Sequence, residues 1–172
     1  MKLGIDYHGV LNTNPLFFRQ FNTLALQNRH QIFIISGSKQ QDVQAYLNRH
    51  DIPFSYIFSL LDYFEVRDLV TFYDNGSFFV PDELWNKAKA QFCAANNISV
   101  HIDDSVLYGT YFKTPFCLYA PKNKDCTLIN QNMTINFNQT PEKVLDDIQK
   151  SVQINLKQTK NNDLQSIVIP EF

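Results

Sequence analysis

The stretch Lys2-Leu3-Gly4-Ile5-Asp6-Tyr7-His8-Gly9 decides the fold. An apolar run stops at an acid and a glycine follows three residues later, the pattern of a buried strand entering a tight turn. The same arrangement recurs twice. Gln31-Ile32-Phe33-Ile34-Ile35 ends at Ser36-Gly37, and Ile98 to Ile102 ends at Asp103-Asp104-Ser105. A continuous apolar run such as Ile32 to Ile35 belongs to a strand buried on both faces, and so to a mainly parallel sheet with helices on either side.

The intervening segments supply those helices. Phe17, Phe21 and Leu24 recur at i, i+4 and i+7 over 15–28, and Val43, Tyr46, Leu47 and His50 share a face over 39–50. Pro81-Asp82 opens a third helix to Asn96, with Trp85, Ala88, Phe92 and Ala95 inward. Thr140-Pro141 caps a last one to about residue 157, apolar through Val144, Ile148 and Val152. Further strands are expected at 54–58 and 116–119. Asn75-Gly76, between 70–73 and 78–80, reads as a hairpin with a type I′ turn. The expectation is α/β: a Rossmann-like, mainly parallel sheet with helices on both faces and a small hairpin insert. One domain covers 1–157. A C-terminal tail, 158–172, is polar until Ile167-Val168-Ile169.

Composition bounds the function. The 172 residues carry a formal charge of −2, which disfavours a nucleic-acid platform, since phosphate tracking needs an excess of Lys and Arg on one face. A hydrophobic fraction of 44% excludes a disordered chain. Asn (17) and Gln (13) are abundant, yet amides perform no acid, base or nucleophilic chemistry, so the carboxylates and histidines at element ends are the groups to examine. No apolar run is long enough for a membrane span, and no signal peptide is expected. Cys93, Cys117 and Cys126 have no CxxC spacing, which suits reduced thiols and a cytoplasmic protein.

In parallel α/β sheets, ligands lie beyond the carboxyl ends of the strands where the strand order reverses. Asp6 and the Asp103-Asp104 pair can meet there if their strands are neighbours. Such an oxygen cluster suits a hard divalent ion such as Mg2+, and two ligands of one ion must approach within roughly 5 Å. The Ser36 hydroxyl with Gly37, and Lys87 or Lys89, would complete a phosphate cradle whose lysine offsets carboxylate charge.

In this order the motifs resemble the haloacid dehalogenase-like (HAD) superfamily. The resemblance spans residues 2–105 and rests on Asp6-Tyr7-His8-Gly9, on Ile35-Ser36, on a lysine in Trp85-Asn86-Lys87-Ala88-Lys89, and on Ile102-Asp103-Asp104. It implies a Mg2+-dependent phosphohydrolase, a phosphomonoester phosphatase working through an aspartyl-phosphate. Asp6 would be nucleophile and metal ligand, and the His8 carbonyl a second ligand. Ser36 and Lys89 would hold the phosphoryl group, Asp104 would contact the metal and Asp103 would stand behind it. Where that superfamily's phosphatases carry a second Asp, this chain has His8, whose imidazole can act as acid and base near neutral pH. The alternative implied is a catalytically impaired module that binds a phosphorylated ligand or partner. The spacing leaves no room for a large cap, and the partner expected is a phosphorylated small molecule or phosphoester, with no membrane involved.

Overall fold

The computed structural model describes residues 1–129 and 133–165. Strand β1 (Lys2–Asp6) is followed by helix α1 (Pro15–Gln27), β2 (Gln31–Ser36), α2 (Gln40–Arg49) and β3 (Tyr56–Ser59). The chain continues through α3 (Leu60–Glu65), the two-residue strands β4 (Thr71–Phe72) and β5 (Phe78–Phe79), and α4 (Asp82–Ala95). It closes with β6 (Val100–Asp103), α5 (Val106–Gly109), β7 (Phe116–Ala120), β8 (Asp125–Leu128), β9 (Met133–Asn136) and α6 (Pro141–Gln165).

Seven strands form one sheet in the order β3-β2-β1-β6-β7-β8-β9. The first five are mutually parallel, and β8 and β9 extend the edge antiparallel. This is the mostly parallel, Rossmann-like α/β architecture expected. Because β1 lies between β2 and β6, the chain winds outward in one direction to β3 and then returns to β6 on the other side of β1. The strand order therefore reverses between β1 and β6, the two strands that end in Asp6 and Asp103.

Both faces of the sheet are buried, as the unbroken apolar runs require. Leu3, Ile5, Ile32 and Ile34 pack with Phe17, Phe18 and Phe21 of α1, Val43 and Leu47 of α2, and Val144 and Ile148 of α6. Phe33 and Ile35 face the opposite layer, made by Leu60 and Phe64 of α3 and Ala88 and Cys93 of α4. The two-residue period of β1 thus puts Gly4 and Asp6 on the α4 side.

Three expectations are corrected, and two strands, β8 and β9, come in addition. The turn at Asn75-Gly76 is not type I′: only Gly76 there has positive φ (+81°), and the Tyr73 N–H bonds the Ser77 carbonyl, so the loop has three residues. The Asn75 side chain accepts the Ser77 N–H instead, which holds Asn75 out of the left-handed region. Helix α6 does not end near 157 but reaches Gln165; Ile167-Val168-Ile169 fall outside the described residues. Strands β8 and β9 come from segments whose polar residues hid their period. Finally, Cys117 and Cys126 are not free thiols but are joined in a disulfide across β7 and β8, with Cα atoms 5.5 Å apart. Cys93 is free and buried. Among the described residues no helix is long and apolar enough to cross a membrane.

The α1 layer depends on aromatic packing. The Phe18 ring is fully buried and meets Phe17 edge-on at 5.4 Å and Tyr119 at 6.4 Å. Phe18→Ala is expected to cost about 3–5 kcal/mol in unfolding free energy, read by urea titration, because the rings around it cannot collapse into the cavity.

Candidate functional site

The centre of the site is Lys89, on the inner face of α4 and 2% exposed. Its Nζ donates to Asp6 Oδ1 at 2.7 Å and to Asp103 Oδ2 at 2.7 Å, joining the ends of β1 and β6. His101, two residues before Asp103 on the same face of β6, places Nε2 3.1 Å from Asp103 Oδ2. The backbone N–H of Ser105 donates to Asp103 Oδ1 at 2.9 Å. Both oxygens of Asp103 are therefore engaged by the protein, whereas Asp6 uses Oδ1 for Lys89. Asp104 reaches the same place from the exposed side: one carboxylate oxygen from each of Asp6, Asp103 and Asp104 lies within 4.8 Å of the others.

Two glycines make this approach possible. A Cβ at Gly4, paired with His101 in the β1–β6 register, would stand 2.7 Å from His101 Nδ1. Gly9 has φ +77°, and a Cβ there would stand 2.0 Å from Asp104 Oδ2. The turn after β1 thus runs directly against the Asp104 carboxylate, held by the Gly9 N–H bonding Asn12 Oδ1 at 2.9 Å.

Burial and charge set the protonation states. Burial, reinforced by the charges of Asp103 and Asp104, pushes the Asp6 carboxyl up to about 7 against the pull of Lys89. For Lys89, burial alone would lower the pKa; Asp6 and Asp103 outweigh it and hold the ammonium charged. Burial would likewise raise Asp103, but its hydrogen bonds from His101 and Lys89 keep it below the usual carboxylate range. His101 is pushed down by burial and stays neutral, donating from Nε2. Asp104 is raised by burial and by Asp103.

Of the expected site residues, Asp6, Lys89, Asp103 and Asp104 come together. Lys87 does not. It pairs with Glu83 one turn away on the exposed face of α4, 2.6 Å apart. Ser36 ends β2, next to β1, but its buried Oγ accepts the Ser38 N–H at 3.1 Å and so closes the local turn. Gly37 lies under Trp85, with 3.0 Å between its would-be Cβ and the indole ring. His8 stands exposed at the rim, its Nδ1 3.3 Å from Ser38 Oγ and its ring 4.3 Å from that of Tyr7.

His101 and Tyr108 are not among the expected site residues, yet both belong to the site. His101 orients Asp103. Tyr108 sets its ring 4.7 Å from Lys89 Nζ while its hydroxyl accepts the Trp85 indole N–H at 2.9 Å. The i, i+2 spacing of His101 and Asp103 on one strand was the available signal.

No family model and no curated protein matches the chain. The solved structures to which it is similar include glycinamide ribonucleotide transformylase 1 from Symbiobacterium toebii, at 9% identity over 99% of this chain and 91% of that chain, with a TM-score of 0.38. That protein is a transformylase and not a HAD hydrolase. The expected HAD membership is corrected accordingly, and the hydrolase class and the aspartyl-phosphate phosphatase activity that came with it are given up. At that TM-score the likeness carries no argument about the reaction of this chain either.

Lys89→Met removes the only cation, among the described residues, that is bonded to two buried carboxylates, and a loss of about 3–5 kcal/mol in folding stability is expected by chemical denaturation. Lys87→Met, on the exposed face of the same helix, should leave the midpoint unchanged.

Proposed function

We propose that the chain binds a hard divalent cation, Mg2+, at Asp6 and Asp104, and with it a phosphorylated small molecule at the carboxyl ends of β1 and β6. The observation that carries this reading is the convergence of three carboxylates to within 4.8 Å around a single buried ammonium. Three carboxylates against one lysine leave an excess of negative charge. A phosphorylated anion would be repelled from that place, and a divalent cation removes the repulsion.

The donor set fits such an ion. Every ligand available is an oxygen, which suits Mg2+ over softer metals, and one or two carboxylates with waters and phosphate oxygens is its usual shell. Asp6 and Asp104 would hold it, since both oxygens of Asp103 are already engaged. The ion would neutralise phosphate charge and orient the group. The chain's own residues do the rest: Lys89 fixes Asp6, His101 and the Ser105 N–H fix Asp103, and the turn at Gly9 holds Asp104 in place.

Calorimetric titration tests this. Mg2+ should bind the wild type saturably, inorganic phosphate should tighten that binding, and Asp104→Asn should weaken it roughly tenfold or more. Mg2+ affinity unchanged in Asp104→Asn, or no binding by the wild type, would contradict the reading.

A further inference from the structure

The β4–β5 hairpin holds out four aromatic side chains. Phe72, Tyr73 and Phe79 are half-exposed, and Phe78 is 38% exposed. Two-residue strands supply little stability of their own, and exposed rings gathered in one place mark a surface that binds something. We infer that Phe72, Phe78 and Trp85 form a subsite for a planar ring, so that the phosphorylated ligand of the reading above, on which this subsite rests, is a nucleoside monophosphate.

The hairpin's register sets which rings act together. Phe72 and Phe78 are cross-strand partners and share one face, while Thr71 and Phe79 share the other. The first face is joined to the carboxylate site at two points. Phe78 meets the Trp85 ring at 5.4 Å. That indole lies over Gly37, just past the end of β2, and its N–H bonds the hydroxyl of Tyr108, whose ring stands 4.7 Å from Lys89 Nζ. On the other side, Lys39 sets its Nζ 5.4 Å from the centre of the Phe72 ring. Lys39 follows Ser38, whose hydroxyl reaches His8 at the rim of the site.

These contacts make a continuous aromatic wall from the hairpin to the buried ammonium. Such rings attract another π system in offset or edge contact. Trp85 and Lys89 are i, i+4 neighbours on α4, with Cβ atoms about 5–6 Å apart, so the wall begins one helical turn from the group that binds Asp6 and Asp103. A sugar spans that step between a phosphate and its base. Inorganic phosphate or a sugar phosphate would leave the wall unused. A protein partner would cover the rings without using the carboxylates, whereas the unbroken path from Phe78 through Trp85 and Tyr108 to Lys89 favours one small ligand that engages both. Lys39 is already paired with Glu65, so it steadies Phe72 rather than serving the ligand.

Trp85 is the only tryptophan in the sequence, and its emission therefore reports on this wall alone. The full chain in excess Mg2+ is titrated with AMP, ribose 5-phosphate and inorganic phosphate, followed by calorimetry and by tryptophan fluorescence. AMP should bind about tenfold more tightly than ribose 5-phosphate, and it alone should quench Trp85. Phe72→Leu and Phe78→Leu keep apolar bulk but lose the π face, and each should weaken AMP about fivefold, toward the affinity of ribose 5-phosphate. Phe79→Leu, on the opposite face, should bind AMP as the wild type does. All three side chains are exposed, and a thermal melt checks that the variants fold. Equal affinity for AMP and ribose 5-phosphate would overturn the subsite and leave the metal and phosphate reading standing. No binding of any of the three phosphates would overturn both. AMP affinity untouched by the Phe72 and Phe78 substitutions, or self-association of the chain that those substitutions abolish, would give the face to another role and overturn the proposal.

Discussion

One buried ammonium holds the centre of this molecule together. Lys89 crosses from α4 to bond the last residues of β1 and β6, the two strands between which the sheet changes direction. Two carboxylates buried side by side would repel each other in a medium that screens poorly. The lysine makes their approach tolerable, and the approach in turn fixes where α4 sits over the sheet. The remaining devices serve the same end: His101 and the Ser105 N–H take up the spare capacity of Asp103, and Tyr108 lends its ring to the ammonium. Gly4 and Gly9 leave room where any side chain would collide.

This arrangement separates a carboxylate committed to the protein from one that faces outward. Asp103 is fully engaged and buried, and acts as the anchor of Lys89. Asp104, one residue on, faces outward, as adjacent residues at a strand end must. Asp6 stands between the two roles, with one oxygen on the lysine and its carboxyl pushed up by burial. The cation proposed above would add a second positive partner to this carboxyl beside the Lys89 ammonium.

Much of this was legible in the sequence. Unbroken apolar runs at Leu3–Ile5 and Ile32–Ile35 announced strands buried on both faces, and acids at the ends of such runs marked the place where ligands gather. Lys89 could be preferred over Lys87 because it shares a face with Trp85 and Phe92, and a lysine there must find a buried counter-charge. What was hidden follows from physics that a linear pattern does not carry. The antiparallel edge at Asp125–Leu128 and Met133–Asn136 is short and half polar, so it has no clear period. The disulfide joins cysteines nine residues apart, and their proximity exists only once β7 and β8 pair. Ser36 has the residue type of a phosphate ligand, but its hydroxyl accepts a bond from its own turn. The HAD resemblance drew on four short motifs, each a common way of ending a strand or lining a helix, and such motifs do not specify a family.

The most direct measurement is the anomalous scattering of a crystal of this chain soaked in Mn2+, an oxygen-seeking stand-in for Mg2+. A single strong peak between the carboxylates of Asp6 and Asp104, with Lys89 still bonded to Asp103, is the predicted result. A map with no peak there, or with Mn2+ held only by acids elsewhere on the surface, would contradict the account.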